Sequence, residues 1–163
     1  MADERLRLRI IEDHHKLDRI FASVRSNLLQ LDAPDAQRDP EILEDVRDDL
    51  KFALDEMLEH FGLEEEAIFA FLKDALTDLN DRIEELEQDH EVLCTRTSRL
   101  RTLVAATQHH ATELDLDLAL QLVEETSDLL TRHNQTETQI FVEALWRLDE
   151  RGRQRLLDAL DSH

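Results

Sequence analysis

The chain is 163 residues long, a length that suits one domain, and 41% of it is hydrophobic, enough for a sizeable core. Its nineteen basic and thirty-nine acidic residues give 19 − 39 = −20, so nucleic acid and anionic membrane surfaces would repel it, and neither is an expected partner. A single cysteine, Cys94, excludes an intramolecular disulfide framework. No run approaches the ~18 apolar residues of a membrane span, and the opening MADERLRLR lacks the apolar region of a signal peptide, so the default expectation is a cytoplasmic protein.

Two Gly, two Pro and no Tyr leave little material for tight turns or sandwich strands, and Leu, Glu, Asp, Arg and Ala are compatible with long helices, so the expected class is all-α. The first helix is expected over about 2–31, with the stripe Ile10, His14, Leu17, Phe21, Val24 and Leu28 stepping by threes and fours. His14 sits in that seam, whereas His15, about 100° around the helix, faces solvent or a flank. DAPDAQRDP, residues 32–40, breaks the pattern; Asp39 is suited to capping and Pro40 to the first helical position. A continuous second helix is expected over about 40–76, with Val46, Leu50, Ala53, Met57, His60, Glu64, Ile68 and Phe71 on one face. Gly62 is its weak spot and a place for close approach of a neighbour.

Thr77 or Asp78 is expected to cap a third helix over about 78–108, whose stripe is Leu79, Ile83, Leu86, His90, Leu93, Thr97, Leu100 and Val104. After a break around His109 to Thr112, a fourth runs over about 113–148 with Leu122, Thr126, Leu130, His133, Glu137, Phe141 and Leu145 on one side. A short terminal helix at about 150–160 follows Asp149 and packs Leu156, Leu157 and Leu160 on the bundle. His109 and His110 read as a solvated helix end, His163 as a chain end, and Trp146 and the six Phe as packing residues.

His60 and Glu64 stand four residues apart, so they point to the same apolar face, where a carboxylate costs several kcal/mol unless it is paired, protonated or bound to a metal. The halves of the chain repeat this arrangement. Asp13-His14-x-x-Leu17 recurs as Asp89-His90-x-x-Leu93, and His60-x-x-x-Glu64 recurs as His133-x-x-x-Glu137, at offsets of 76 and 73 residues. The match is imperfect, because the Ile-Phe dipeptides at 68–69 and 140–141 are out of step by one position. An antiparallel up-down four-helix bundle with a pseudo-twofold axis is expected, carrying four imidazoles and two carboxylates in one core layer. Imidazole and carboxylate without thiolate suit iron, manganese or zinc, and two Glu shared between two histidine pairs suit a dinuclear centre. The Glu-x-x-His spacing of ferritin-like carboxylate proteins occurs at Glu87 and His90.

The order His, His-x-x-x-Glu, His, His-x-x-x-Glu resembles that of the hemerythrin-like family of HHE cation-binding domains, over about residues 10–148. The resemblance implies one such domain spanning residues 1–163. It implies as metal ligands His14, His60, Glu64, His90, His133 and Glu137, with both glutamates bridging two iron ions under an oxo or hydroxo bridge, manganese or zinc being possible substitutes. Oxygen-carrying members have a fifth histidine four residues on in the third motif, where this chain has Cys94, with Leu86 four residues before His90. That departure makes the chain more similar to members associated with nitric oxide, peroxide or iron-centre repair. Positive charge at such a centre favours small anions and diatomics, walled by Leu17, Met57, Leu93 and Leu130. Three readings follow: a binder of oxygen or nitric oxide, a possible enzyme consuming peroxide or nitric oxide, and a protein that stores or donates iron. Any protein partner is unspecified, and Cys94 reads as a small packing residue.

Overall fold

Asp39 accepts a hydrogen bond from the Glu41 amide at 2.9 Å and Pro40 follows it, so the second helix starts where the sequence places its cap. The computed structural model describes residues 2–32, 39–107 and 114–161. The expected break at His109 to Thr112, the His109–His110 pair and His163 lie outside the described residues, as do the side chains of Ile10 and Leu160.

Among the described residues the chain is helical throughout: α1 (Ala2–Leu31), α2 (Pro40–Leu63), a π-helical turn (Glu64–Phe69), α3 (Ala70–Ala75), a 3-10 turn (Thr77–Leu79), α4 (Asn80–Ala105), α5 (Leu116–Arg147) and α6 (Glu150–Asp161). Helices α1 and α4 each pack against both α2 and α5. No helix of the described residues is long and apolar enough to cross a membrane.

The apolar stripes are buried much as their periodicity implies. Leu17, Phe21, Val24 and Leu28 of α1, Val46, Leu50, Ala53 and Met57 of α2, and the whole α4 stripe are inaccessible or nearly so. Thr97 and Thr126, polar members of the stripes, return their hydroxyls to the carbonyls of Leu93 (2.8 Å) and Leu122 (2.6 Å), which satisfies them inside their own helices. His15 is exposed, as its position on α1 requires.

The core is not one body. One apolar cluster gathers Leu17 to Leu31 of α1, Leu43 to Phe61 of α2, Leu93 to Val104 of α4 and Leu116 to Leu130 of α5. A second gathers Ile68, Phe69 and Leu72, Leu79 to Leu86, and Ile140 to Leu148, with Leu156 of α6 closing it. Between the clusters lie buried Glu64, His90, His133, Asn134 and Glu137, while His14 and His60 border the first cluster on α1 and α2. Leu17, Met57, Leu93 and Leu130, expected to wall this layer, all belong to the first cluster. Asp149 caps α6 by accepting from the Gly152 amide at 2.7 Å. Leu157 packs partly against the second cluster.

Four local expectations are corrected. The second helix is not continuous α: six residues from Glu64 wind as a π turn, which holds one residue more than α geometry would. This accounts for the out-of-step dipeptides, because Glu64 to Ile68 spans four residues where Glu137 to Ile140 in the plain helix α5 spans three. The turn also rotates the buried face, so Phe69 and Leu72 are fully buried while Phe71 is only partly so. At the start of α4 neither Thr77 nor Asp78 caps; the 3-10 turn leads in, and Asp78 instead pairs with Arg147 of α5 at 2.6 Å. Trp146 is 78% exposed and Phe52 lies at the surface beneath the Lys16 ammonium, so neither is a core residue. Finally, a Cβ on Gly62 would meet nothing within 4 Å, so no neighbour approaches there.

Two expected outcomes follow from the helix geometry. Gly62→Ala should stabilise the protein by roughly 1 kcal/mol by removing backbone freedom at no steric cost, read as a rise of several degrees in Tm. Deleting exposed Glu66 should convert the π turn to α and leave Glu64 and Ile68 both inward, with a cooperative melt retained. Deleting exposed Gln139 instead turns everything after it by about 100° and should abolish cooperative unfolding. Equal tolerance of the two deletions would contradict this account of the turn.

Candidate metal centre

The four long helices each bring at least one member of the polar layer to the boundary between the apolar clusters. His14 of α1, Glu64 at the head of the π turn, His90 of α4 and both His133 and Glu137 of α5 are buried; His60 of α2 keeps 12% of its side chain accessible. The i to i+4 spacing sets each His/Glu pair on one face, with His60 Nε2 at 2.8 Å from Glu64 Oε1 and His133 Nε2 at 3.7 Å from Glu137 Oε2. Across helices, His14 Nε2 lies 2.7 Å from Glu137 Oε2 and His90 Nε2 lies 3.2 Å from Glu64 Oε2. All six residues singled out in the sequence therefore meet in one layer.

Their donor atoms fall into two clusters. His14, His60, Glu64 and Glu137 each offer an atom within 4.8 Å of the others, and so do Glu64, His90 and His133. Glu64 belongs to both, and Glu137 belongs to the first. Each cluster is of a kind that could hold a metal ion.

The partners fix what the rings present to that space. His90 Nδ1 lies 2.7 Å from Glu65 Oε1, and because an ionised carboxylate only accepts, Nδ1 carries the proton. The ring then turns Nε2 toward His133 Nε2, 3.2 Å away, and toward Glu64 Oε2 at the same distance. Three ligating atoms brought this close together are an arrangement that a cation between them relieves. Burial draws the His14 imidazole down to about 4, against a smaller opposing pull from Glu64. It draws His133 down to about 3, helped by the neighbouring His90. Burial alone would raise Glu64, but the His60 charge and the interactions with His60, His90 and Glu137 outweigh it and hold the carboxyl well below its usual range. Neutral His14 and His133 beside an ionised Glu64 are protonation states that metal binding needs.

Three residues of the site escaped the sequence reading. Glu65 sits in the acidic run 64–66, where nothing distinguishes it from an ordinary solvated carboxylate, yet it orients His90. Asp89 Oδ2 stands 3.6 Å from His133 Nδ1, and burial raises its carboxyl; the repeated Asp-His dipeptide was its available signal. Phe61 stacks on His90 with centroids 3.9 Å apart and planes 6° from parallel, while Phe69 lies 5.7 Å away, also nearly parallel. Cys94, four residues after His90, is half-buried against the first apolar cluster, and burial pushes its thiol up, consistent with a packing role.

A helical bundle with a buried layer of imidazoles and carboxylates defines a metal-binding class of protein. The family model of the hemerythrin HHE cation binding domain matches residues 8–145, and the chain belongs to that family. Comparison with curated proteins and with solved structures gave no match.

Proposed function

We propose that the chain forms a single non-heme di-iron domain of the hemerythrin type, and that it binds or reacts with dioxygen, nitric oxide or peroxide at a carboxylate-bridged pair of irons. The observation that carries this reading is the membership of Glu64 in both donor clusters, which joins two histidine pairs into one centre. His14 and His60 would hold one ion, His90 and His133 the other, and Glu64 and Glu137 would bridge them. The helices support an antiparallel up-down four-helix arrangement, because the stripes leave the first apolar cluster along α2, return to it along α4 and leave it again along α5.

Bound iron would supply redox electrons and open positions for a small ligand. The protein's own residues do the rest. Glu65 fixes the tautomer of His90, the apolar clusters on either side exclude bulk water, and the ionised carboxylates offset the positive charge of the ions. The apolar side chains on either side would restrict the ligand to diatomics and small anions. The absence of a second histidine at Cys94 leaves fewer nitrogen donors than oxygen carriers have, which favours reaction over reversible carriage.

Anaerobic reconstitution with ferrous iron followed by metal analysis tests the centre, and optical spectra after adding oxygen, nitric oxide or peroxide test its reactivity. Two irons per chain are expected in the unmodified protein, and loss of at least one in Glu64→Ala or Glu137→Ala. Full retention of two irons in both variants would refute the bridging assignment, and unchanged spectra with all three reagents would refute the reactivity.

A further inference from the structure

The two halves of the layer repeat at an offset of 73 residues in α2 and α5, yet they differ beside the histidines. The residue after His60 is Phe61, stacked on His90 of the neighbouring α4. The residue after His133 is Asn134, at the same register in α5, which packs on α1, the helix of His14, as α2 packs on α4. Glu65, which holds His90 Nδ1, corresponds to Thr138, whose hydroxyl is spent on the Asn134 carbonyl at 2.7 Å. The His90 side is thus closed by an aromatic ring and tied by a carboxylate. By the register of the repeat, Asn134 takes the position on α5 that Phe61 takes on α2, with a small neutral amide where the other half has a ring.

That amide is not satisfied. Asn134 is only 9% exposed, and its Nδ2 is buried with no hydrogen-bond partner. A buried amide N–H left unpaired is destabilising, whereas an apolar residue here would carry no such cost. The register already places an apolar side chain, Phe61, at the equivalent position.

We infer that Asn134 is a specificity-determining residue whose side-chain N–H donates a hydrogen bond to a small anionic or diatomic ligand held on the His14–His60 side of the centre. This rests on the di-iron reading. Such a donor strengthens with negative charge on the ligand, so Asn134 selects for ligands that are anionic or become so on reaction.

Azide, titrated into the iron-loaded full-length protein and followed by its optical band, is the probe. Asn134→Leu should keep its full iron content and bind azide about tenfold more weakly, the loss of one hydrogen bond to a charged group. Asn134→Asp, which sets a negative charge in the donor's place, should bind more weakly still. Thr126→Val, about two turns away along α5, should bind azide as the unmodified protein does. If Asn134→Leu loses iron, Asn134→Ser removes the amide without adding bulk, and the same tenfold criterion applies. Iron content intact with azide affinity unchanged in the asparagine variants overturns this inference alone. An unmodified protein that takes up no iron pair overturns the di-iron reading and this inference with it.

Discussion

A layer of buried imidazoles and carboxylates cuts the hydrophobic core of this bundle in two, and the architecture is arranged to make that layer tolerable. Burying an isolated carboxylate costs several kcal/mol, and two of them lie here at near-zero accessibility. Each is held against imidazole nitrogens from its own helix and from another, so the layer is a network spanning all four long helices rather than a set of local pairs. A purely apolar layer would be easier to stabilise. What the polar one offers is a set of converging lone pairs, and a cation bound among them would add its binding free energy to folding.

The internal repeat supplies the convergence, and its irregularities supply the asymmetry. Matching His-x-x-x-Glu units on α2 and α5 set donors of like kind on opposite helices. The extra residue in the first half is absorbed within one π turn that begins at Glu64 itself, so the glutamate and the apolar residues after it both remain inward. Outside the layer, pairs such as Arg147–Asp78 and Lys73–Glu87 link neighbouring helices at the surface, where solvent screening leaves them little weight. The donors of the layer are set by local partners such as Glu65 and Asp89.

The helical class, the buried stripes and the six polar residues of the layer were legible because helical periodicity is written directly into the sequence. His14, His60, Glu64, His90, His133 and Glu137 each fall where an apolar residue was due, which marks them without reference to any fold. The π turn left only a trace, the one-residue slip of the Ile-Phe dipeptides, since nothing local in EEEAIF distinguishes a wider turn from an ordinary one. Glu65, Phe61 and Asn134 lie beside the stripe rather than in it. Glu65 and Phe61 meet His90 of another helix, and spacing along one helix carries no information about such contacts. Trp146 was misread because its spacing was taken to follow the helical stripe, whereas its place one residue past Leu145 turns it to solvent.

The most direct test of the central claim, that this layer grips two cations at once, is X-ray absorption at the iron edge of the reconstituted protein. The account predicts an iron–iron scattering path at roughly 3.5 Å, the spacing of two-metal sites, together with nitrogen and oxygen neighbours. A spectrum fitted by nitrogen and oxygen neighbours alone, with no iron at that distance, would contradict it.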